Sequence, residues 1–217
     1  MSEISRITVA ILGTGRVGRA LGERLVHAGA SVRYGARNPG PAAASLPGSL
    51  AEIPTRLPAE ATADARLVLL AVPAAAAMDA ARSAGPLDGK ILLDCTNSLR
   101  RDASGPSWAP PAEGSMAQAL AAAFPGAAVV KGFNHFSSEI MRSPELTTGP
   151  AEAFFAGDDP DAKSLIMELA GQMGFRPHDA GPLRNASLIE NLAVLWIHLA
   201  STEGAGRQFA FRLEKQA

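Results

Sequence analysis

A largely apolar run near the start of the chain, Ile7–Leu12, passes without a spacer into Gly13-Thr14-Gly15-Arg16-Val17-Gly18. A continuous, β-branched run of this length is the pattern of a strand buried on both faces of a parallel sheet. Beyond the glycines, Val17, Leu21, Leu25 and Ala28 recur at helical spacing as far as Gly29, a residue suited to closing a helix. A G-x-G-x-x-G sequence between a strand and a helix forms a phosphate-facing turn. Gly13 permits the tight turn, Gly15 lets the backbone approach a pyrophosphate, and Gly18 lets the helix pack closely on the strand. The first amides of the helix, at the positive end of its dipole, then face the anion. The motif predicts an α/β fold of Rossmann type, a doubly wound and mostly parallel sheet that binds a dinucleotide through Gly13, Thr14, Gly15, Arg16, Val17 and Gly18.

The second strand reads Ser31–Gly35. In NAD-binding domains an acidic residue about 20 residues past the glycines holds the ribose hydroxyls. Here no Asp or Glu occurs between Glu23 and Glu52, and Ala36-Arg37-Asn38 puts an arginine at that place instead. A guanidinium presents a fixed fork of donors to phosphate, so Ala36, Arg37 and Asn38 predict NADP(H) rather than NAD(H).

Further along, Leu67–Val72 reads as a strand ended by Pro73, and Pro73–Ala84 as an Ala-rich helix. The Pro-rich crossover Asn38–Thr62 is too broken to read. Ile91–Asp94 and Ala128–Phe133 read as strands, with a helix over Ser115–Ala123 between them. The stretch Ser98–Gly114, with four Gly and Pro residues around Trp108 and another Gly at its end, reads as a long structureless loop and a candidate lid. Phe154–Ala156, a helix through Pro160–Met173 and Phe175–Asp179 make one more strand–helix–strand unit. Ala186–Ala200 is a helix with apolar rows on two sides, which predicts packing on a second copy as a homodimer. The reading gives eight strands in one NADP-binding domain over residues 1–217, with a C-terminal extension from about residue 150. Ligands of doubly wound sheets lie at the carboxyl ends of the strands. Those ends supply Ala71, Val72 and Pro73, then Asn97, then Asn134 as further nucleotide contacts.

This ordered series resembles the deazaflavin-dependent NADP reductases (coenzyme F-420:NADP oxidoreductases) and their bacterial relatives. Residues 9–29 are similar to the family's start, and Asp94-Cys95-Thr96-Asn97 to its D-x-T-N turn. Val129–Asn134, Ala156–Asp159 and Asp179–Leu183 are similar to three later family motifs. The same domain shape resembles the NADPH-binding part of six-transmembrane ferric reductases, which uses flavin. Ala36 stands where the family often has Ser, Ser98 where it has Pro, Gly132 where it has Ala, and His135 is one residue beyond an archaeal histidine. The resemblance implies an NADPH-dependent oxidoreductase that passes hydride to a deazaflavin, FMN or FAD ring. That ring would stack beneath the Ser98–Gly114 loop and near Gly181-Pro182-Leu183, with Asn97 and Asn134 on the nicotinamide amide or ribose.

Such a reaction needs orientation rather than a nucleophile. No catalytic residue is therefore assigned; His135 is the one candidate acid, against the alternative of a strand-end histidine bound to backbone. Lys131 and Cys95 read as structural, and the four histidines show no metal-ligand spacing. A net charge of −1 argues against nucleic acid as a partner, and no apolar run reaches the length of a membrane span. One cysteine and a start without a signal-peptide pattern predict a cytoplasmic protein. Two alternatives stay open: a reductase of a small carbonyl or imine, and a non-enzymatic NADP(H)-binding regulator. With 217 residues there is little room for the large helical domain that the first of these usually carries.

Overall fold

The computed structural model describes residues 7–39 and 53–216. In chain order the elements are β1 (Thr8–Leu12), α1 (Arg16–His27), β2 (Ser31–Gly35), β3 (Thr55–Arg56), α2 (Pro58–Thr62) and β4 (Leu67–Leu70). A 3-10 turn, Ala74–Ala76, leads into α3 (Ala77–Ser83), and β5 (Ile91–Asp94) follows. Next come β6 (Leu99–Asp102), β7 (Gly105–Trp108), α4 (Met116–Ala123), β8 (Ala128–Lys131) and α5 (Ser138–Arg142). The chain continues through β9 (Glu145–Leu146), β10 (Gly149–Pro150), β11 (Glu152–Gly157), α6 (Pro160–Gln172), β12 (Arg176–Asp179) and α7 (Ala186–Ser201).

Eight strands form one sheet in the order β12-β11-β8-β5-β4-β1-β2-β3, and β11 on β8 is its one antiparallel pairing. The doubly wound α/β expectation holds. From β1 the chain moves to β2 on one side and later to β4 on the other, which opens a crevice at the carboxyl ends of β1 and β4. Strands β4 and β5 are buried at every position. Their alternate side chains feed two cores: Val9, Ile11, Leu67 and Leu69 on the α1 face, and Ala10, Leu12, Val68 and Leu70 on the other, with Ala61, Ala81 and Leu120. This two-sided burial is why β1, β4 and β5 read as unbroken apolar runs.

Several expected segments differ. The Ser98–Gly114 stretch is no structureless loop, because β6 and β7 pair as an antiparallel hairpin with Leu99 opposite Trp108 and Asp102 opposite Gly105. The strand at Leu67 ends at Leu70, so Ala71–Pro73 are free to line the crevice. The one at Ala128 ends at Lys131 because Phe133 takes a left-handed φ of 55° and turns the chain. Gly132 has its own reason: a Cβ there would lie 2.3 Å from the Phe155 ring. The Asn38–Thr62 crossover contains β3 and α2, and its residues 40–52 lie outside the described ones.

The sheet is tied to α7 by charge. The Lys131 ammonium is fully buried, 2.8 Å from Asp94 Oδ2 and 3.1 Å from Glu190 Oε1, and it also donates to the Thr96 carbonyl. Glu190 in turn accepts from Trp108 Nε1 at 3.0 Å and from the Met116 amide at 3.2 Å. Burial alone would pull the lysine's pKa down, but the two carboxylates outweigh it and the pKa ends above its ordinary value. Lys131 is thus structural, as expected. Removing one partner of such a buried cluster leaves an unpaired charge. Lys131→Met, which strands two carboxylates, is expected to lower the unfolding free energy by about 3–5 kcal/mol, read from the urea midpoint; an unchanged midpoint would contradict this account.

His135 is also buried, between Phe136 and Phe154, and its Nε2 lies 3.1 Å from the Glu152 carbonyl. Burial pushes its pKa down to about 4, against a weaker upward pull from that hydrogen bond. The unfolded chain therefore takes up this proton first. Its contribution to stability is complete above the ordinary histidine pKa of about 6.5 and is lost as pH falls toward 4. Denaturation curves should lose on the order of 2–3 kcal/mol across that window in the wild type, and measurably less in His135→Asn.

Candidate nucleotide-binding site

The site is built where β1 meets α1. Gly13 has φ 119°, and a Cβ on it would come within 2.4 Å of the Ala71 carbonyl oxygen, so only glycine lets the turn pass beneath the end of β4. Behind it, Gly18 brings α1 against the Gly13 carbonyl. Gly15 opens onto free space and is the N-cap of α1, with no side chain capping the helix and no acidic residue in its first turn. The first amides of a 12-residue helix thus stand uncapped at the crevice, an arrangement that favours an anion.

Two adjoining clefts occupy the crevice. The larger, about 610 Å³, is lined by Gly13 and Thr14 of the turn, Ala36, Arg37 and Asn38 after β2, and Val72 and Pro73 after β4. The smaller, about 340 Å³, shares Val72 and Pro73 and adds Gly15, Arg16, Val17, Ala71 and Asn97. Arg16 and Arg37 are exposed and have no hydrogen-bond or ion-pair partner among the described residues. A trough with two unpaired guanidiniums and an uncapped helix start suits a phosphorylated dinucleotide in its donor set.

Of the residues expected from the sequence, Gly18 and Asn134 are not in the trough. Gly18 packs behind the turn. Asn134 is buried, and its side-chain amide donates to Asn97 Oδ1 at 2.8 Å while Asn97 Nδ2 donates to the Asn134 carbonyl at 2.8 Å. Asn134 holds Asn97 from below. The small cleft takes in Cys95 and Thr96 beside Asn97, at the strand end expected there, whereas the sequence reading missed Pro58, Ala76, Asp79, Ala80 and Ser83 in the large one. Positions 76, 80 and 83 repeat at helical spacing, a signal present in the sequence; Pro58 sits in the crossover that could not be read.

One alternative falls away and one expectation is corrected. His135 is the backbone-bound histidine of the two readings, buried with Nε2 on the Glu152 carbonyl and its proton affinity depressed, and not a proton donor to the trough. Gly181-Pro182-Leu183 lies at the opposite edge of the sheet. Because β11 runs antiparallel to β8 and β12 parallel to β11, their carboxyl ends point away from the trough. Leu183 accordingly faces Lys90, Ile91 and Ala128 at the amino ends of β5 and β8. Cys95 is buried and its thiol pKa is raised, first by desolvation and then by Asp94, so it offers no thiolate. Among the described residues no three His, Cys, Asp or Glu side chains group as a metal site, and no helix is long and apolar enough to cross a membrane.

Comparison with known proteins agrees with this geometry. Residues 8–98 match the model of the family described as "NADP oxidoreductase coenzyme F420-dependent". A crystal structure of a candidate F420-dependent NADP reductase from Arthrobacter sp. FB24 superposes with a TM-score of 0.86 at 29% identity, covering 95% of this chain and 99% of that one. The metalloreductase STEAP3 of Rattus norvegicus is 34% identical over 182 residues, 84% of this chain. The chain spans about a third of the length of that curated relative, 35%. An Aspergillus terreus reductive aminase in complex with an NADPH derivative, at 20% identity, shares the fold with a TM-score of 0.66, over 91% of this chain and 62% of its own. The stretch that carries the glycine turn, Arg37 and Asn97 is the stretch the family description covers, and over residues 8–98 the chain matches this family of NADP oxidoreductases.

Proposed function

We propose that the protein is an NADPH-dependent reductase that passes a hydride to a second planar redox ring, a deazaflavin or a flavin. The observation that carries this reading is the chemistry of the small cleft. Its lining of Ala71, Val72, Pro73, Ala74, Cys95, Thr96 and Asn97 lies beside the turn that faces the pyrophosphate, and among the described residues it holds no carboxylate, no histidine and no available thiolate. A carbonyl or imine takes hydride on its carbon and a proton on its oxygen or nitrogen, which an enzyme supplies best from a group within hydrogen-bond reach. A flavin-type ring asks the protein for alignment and exclusion of water. When bound, NADPH supplies the hydride, and the accompanying proton comes from solvent.

The residues of this chain then divide the work. The α1 amides and Arg16 hold the pyrophosphate. Arg37, with Asn38, holds the 2′-phosphate and selects NADP(H) over NAD(H). Asn97, fixed from below by Asn134, meets the nicotinamide end with the donor and acceptor capacity its amide has left. The small side chain of Ala71 leaves room for a second ring. The exposed apolar residues of α7, Leu188 and Leu195, suit a homodimer in which a second copy closes this face. The relative named a metalloreductase makes a ferric chelate an acceptor to include beside the rings.

Arg37→Ala is expected to weaken NADPH binding roughly 10- to 100-fold, the size of a charge-assisted hydrogen bond, and NADH binding far less. Equal losses for the two nucleotides would remove the role given to Arg37. The reaction itself is tested by NADPH consumption with a deazaflavin, FMN, FAD, a ferric chelate and a cyclic imine. Turnover with the rings supports the proposal, whereas turnover with the imine alone, or with nothing, sinks it. Because His135 stands outside the trough, kcat plotted against pH from about 6 to 8 should superimpose for wild type and His135→Asn.

A further inference from the structure

Asp79 has no place in the account above, although its position is unusual. Among the described residues it is the one carboxylate lining the large cleft, and the same lining contains Arg37. Its side chain is 84% exposed, and it pairs with Arg82, one turn along α3 at 3.5 Å. A carboxylate cannot sit against a phosphate without strong repulsion, so a cleft shaped for phosphates alone has no use for one. It has a use where the ligand presents N–H or O–H donors, because an ionised carboxylate only accepts.

The surrounding wall narrows the choice of donor. Ala76, Ala80 and Ser83, at helical spacing around Asp79, give the 3-10 turn and α3 a face of small side chains toward the cleft, and Pro58 and Val72 add apolar surface. Such surfaces suit the flat face of an aromatic base and leave Asp79 at its rim. With phosphate on the 2′ oxygen, the donors at that end of NADPH are the exocyclic amine of adenine and the ribose 3′-hydroxyl. The apolar walls favour the base. We infer that Asp79 reads the adenine of the nucleotide, accepting from its exocyclic 6-amino group while the Ala76–Ala80–Ser83 face carries the ring. This inference rests on the proposed nucleotide binding and adds a specificity residue to it.

The measurement is calorimetric binding of NADP+ and of its hypoxanthine counterpart, in which the 6-amino group is replaced by a 6-oxo group, to wild type, Asp79→Asn and Asp79→Ala. Wild type should prefer the adenine form by roughly tenfold or more, as for a hydrogen bond to a charged acceptor, since the 6-oxo group places an acceptor against the carboxylate. Asp79→Asn, whose amide also donates, should bring the two ligands to within about threefold. Asp79→Ala should lose the preference without gaining the 6-oxo ligand. A wild type that binds both ligands equally, or variants that keep the full preference, overturns the role of Asp79 while leaving NADP binding standing. A wild type that binds neither ligand overturns both. A fall in thermal stability of Asp79→Asn with unchanged discrimination assigns the carboxylate to the first turn of α3 alone, and this too overturns the inference.

Discussion

One buried ammonium holds the functional edge of this molecule together. Lys131 satisfies two carboxylates and a backbone carbonyl from two distant parts of the chain, the end of β5 with its turn and α7, and each acceptor does something else besides. The Asp94 carboxylate also accepts from the Thr96 amide and so folds the turn after β5. The Thr96 carbonyl belongs to the floor of the small cleft. Glu190 draws in the hairpin through Trp108 and the start of α4 through Met116. Cleft floor, hairpin and last helix are therefore linked through one side chain. A shift of any of them would leave a charge unpaired in a place without water, which makes the arrangement stiff.

That stiffness suits the trough above it. The recognition groups are backbone amides, exposed arginines and one amide side chain held at both ends, and most of them stand on strand ends or helix starts rather than on loose segments. Titratable groups that could interfere have been neutralised by burial: His135 is kept without its proton and Cys95 with its own. What is left in the small cleft is a surface of small and amide side chains. In the proposed reaction a second ring would lie flat there.

How much of this could be read from the sequence follows from which interactions are local. The glycine turn, β1, β2, α1 and the basic residue after β2 were legible because each depends on a few neighbouring positions. Buried strands β4 and β5 were legible because two-sided burial writes itself as an unbroken apolar run. The hairpin was not, because its strands pair through Leu99 and Trp108 and are fixed by Glu190, 82 residues from Trp108. The orientation of β11 was likewise invisible, since a strand reads the same in either direction. Within the site, Asn134 was correctly sensed as belonging to this edge, but its contact turned out to be Asn97 rather than the trough. Asp79 went unread because a carboxylate in the first turn of a helix is commonplace.

The reversal of β11 divides the protein into two ends with different freedoms. Among the described residues the proposed nucleotide contacts lie at one end of the sheet, whereas the turns after β11 and β12, with Asp158, Asp159 and Leu183, lie at the other. The exposed positions of the turn after β11 line neither cleft of the trough. Over evolutionary time such a surface can take on new sequence, a tether or a neighbouring domain while the oxidoreductase edge stays fixed. For anyone attaching a reporter or an immobilising group, it is the end of the molecule to use.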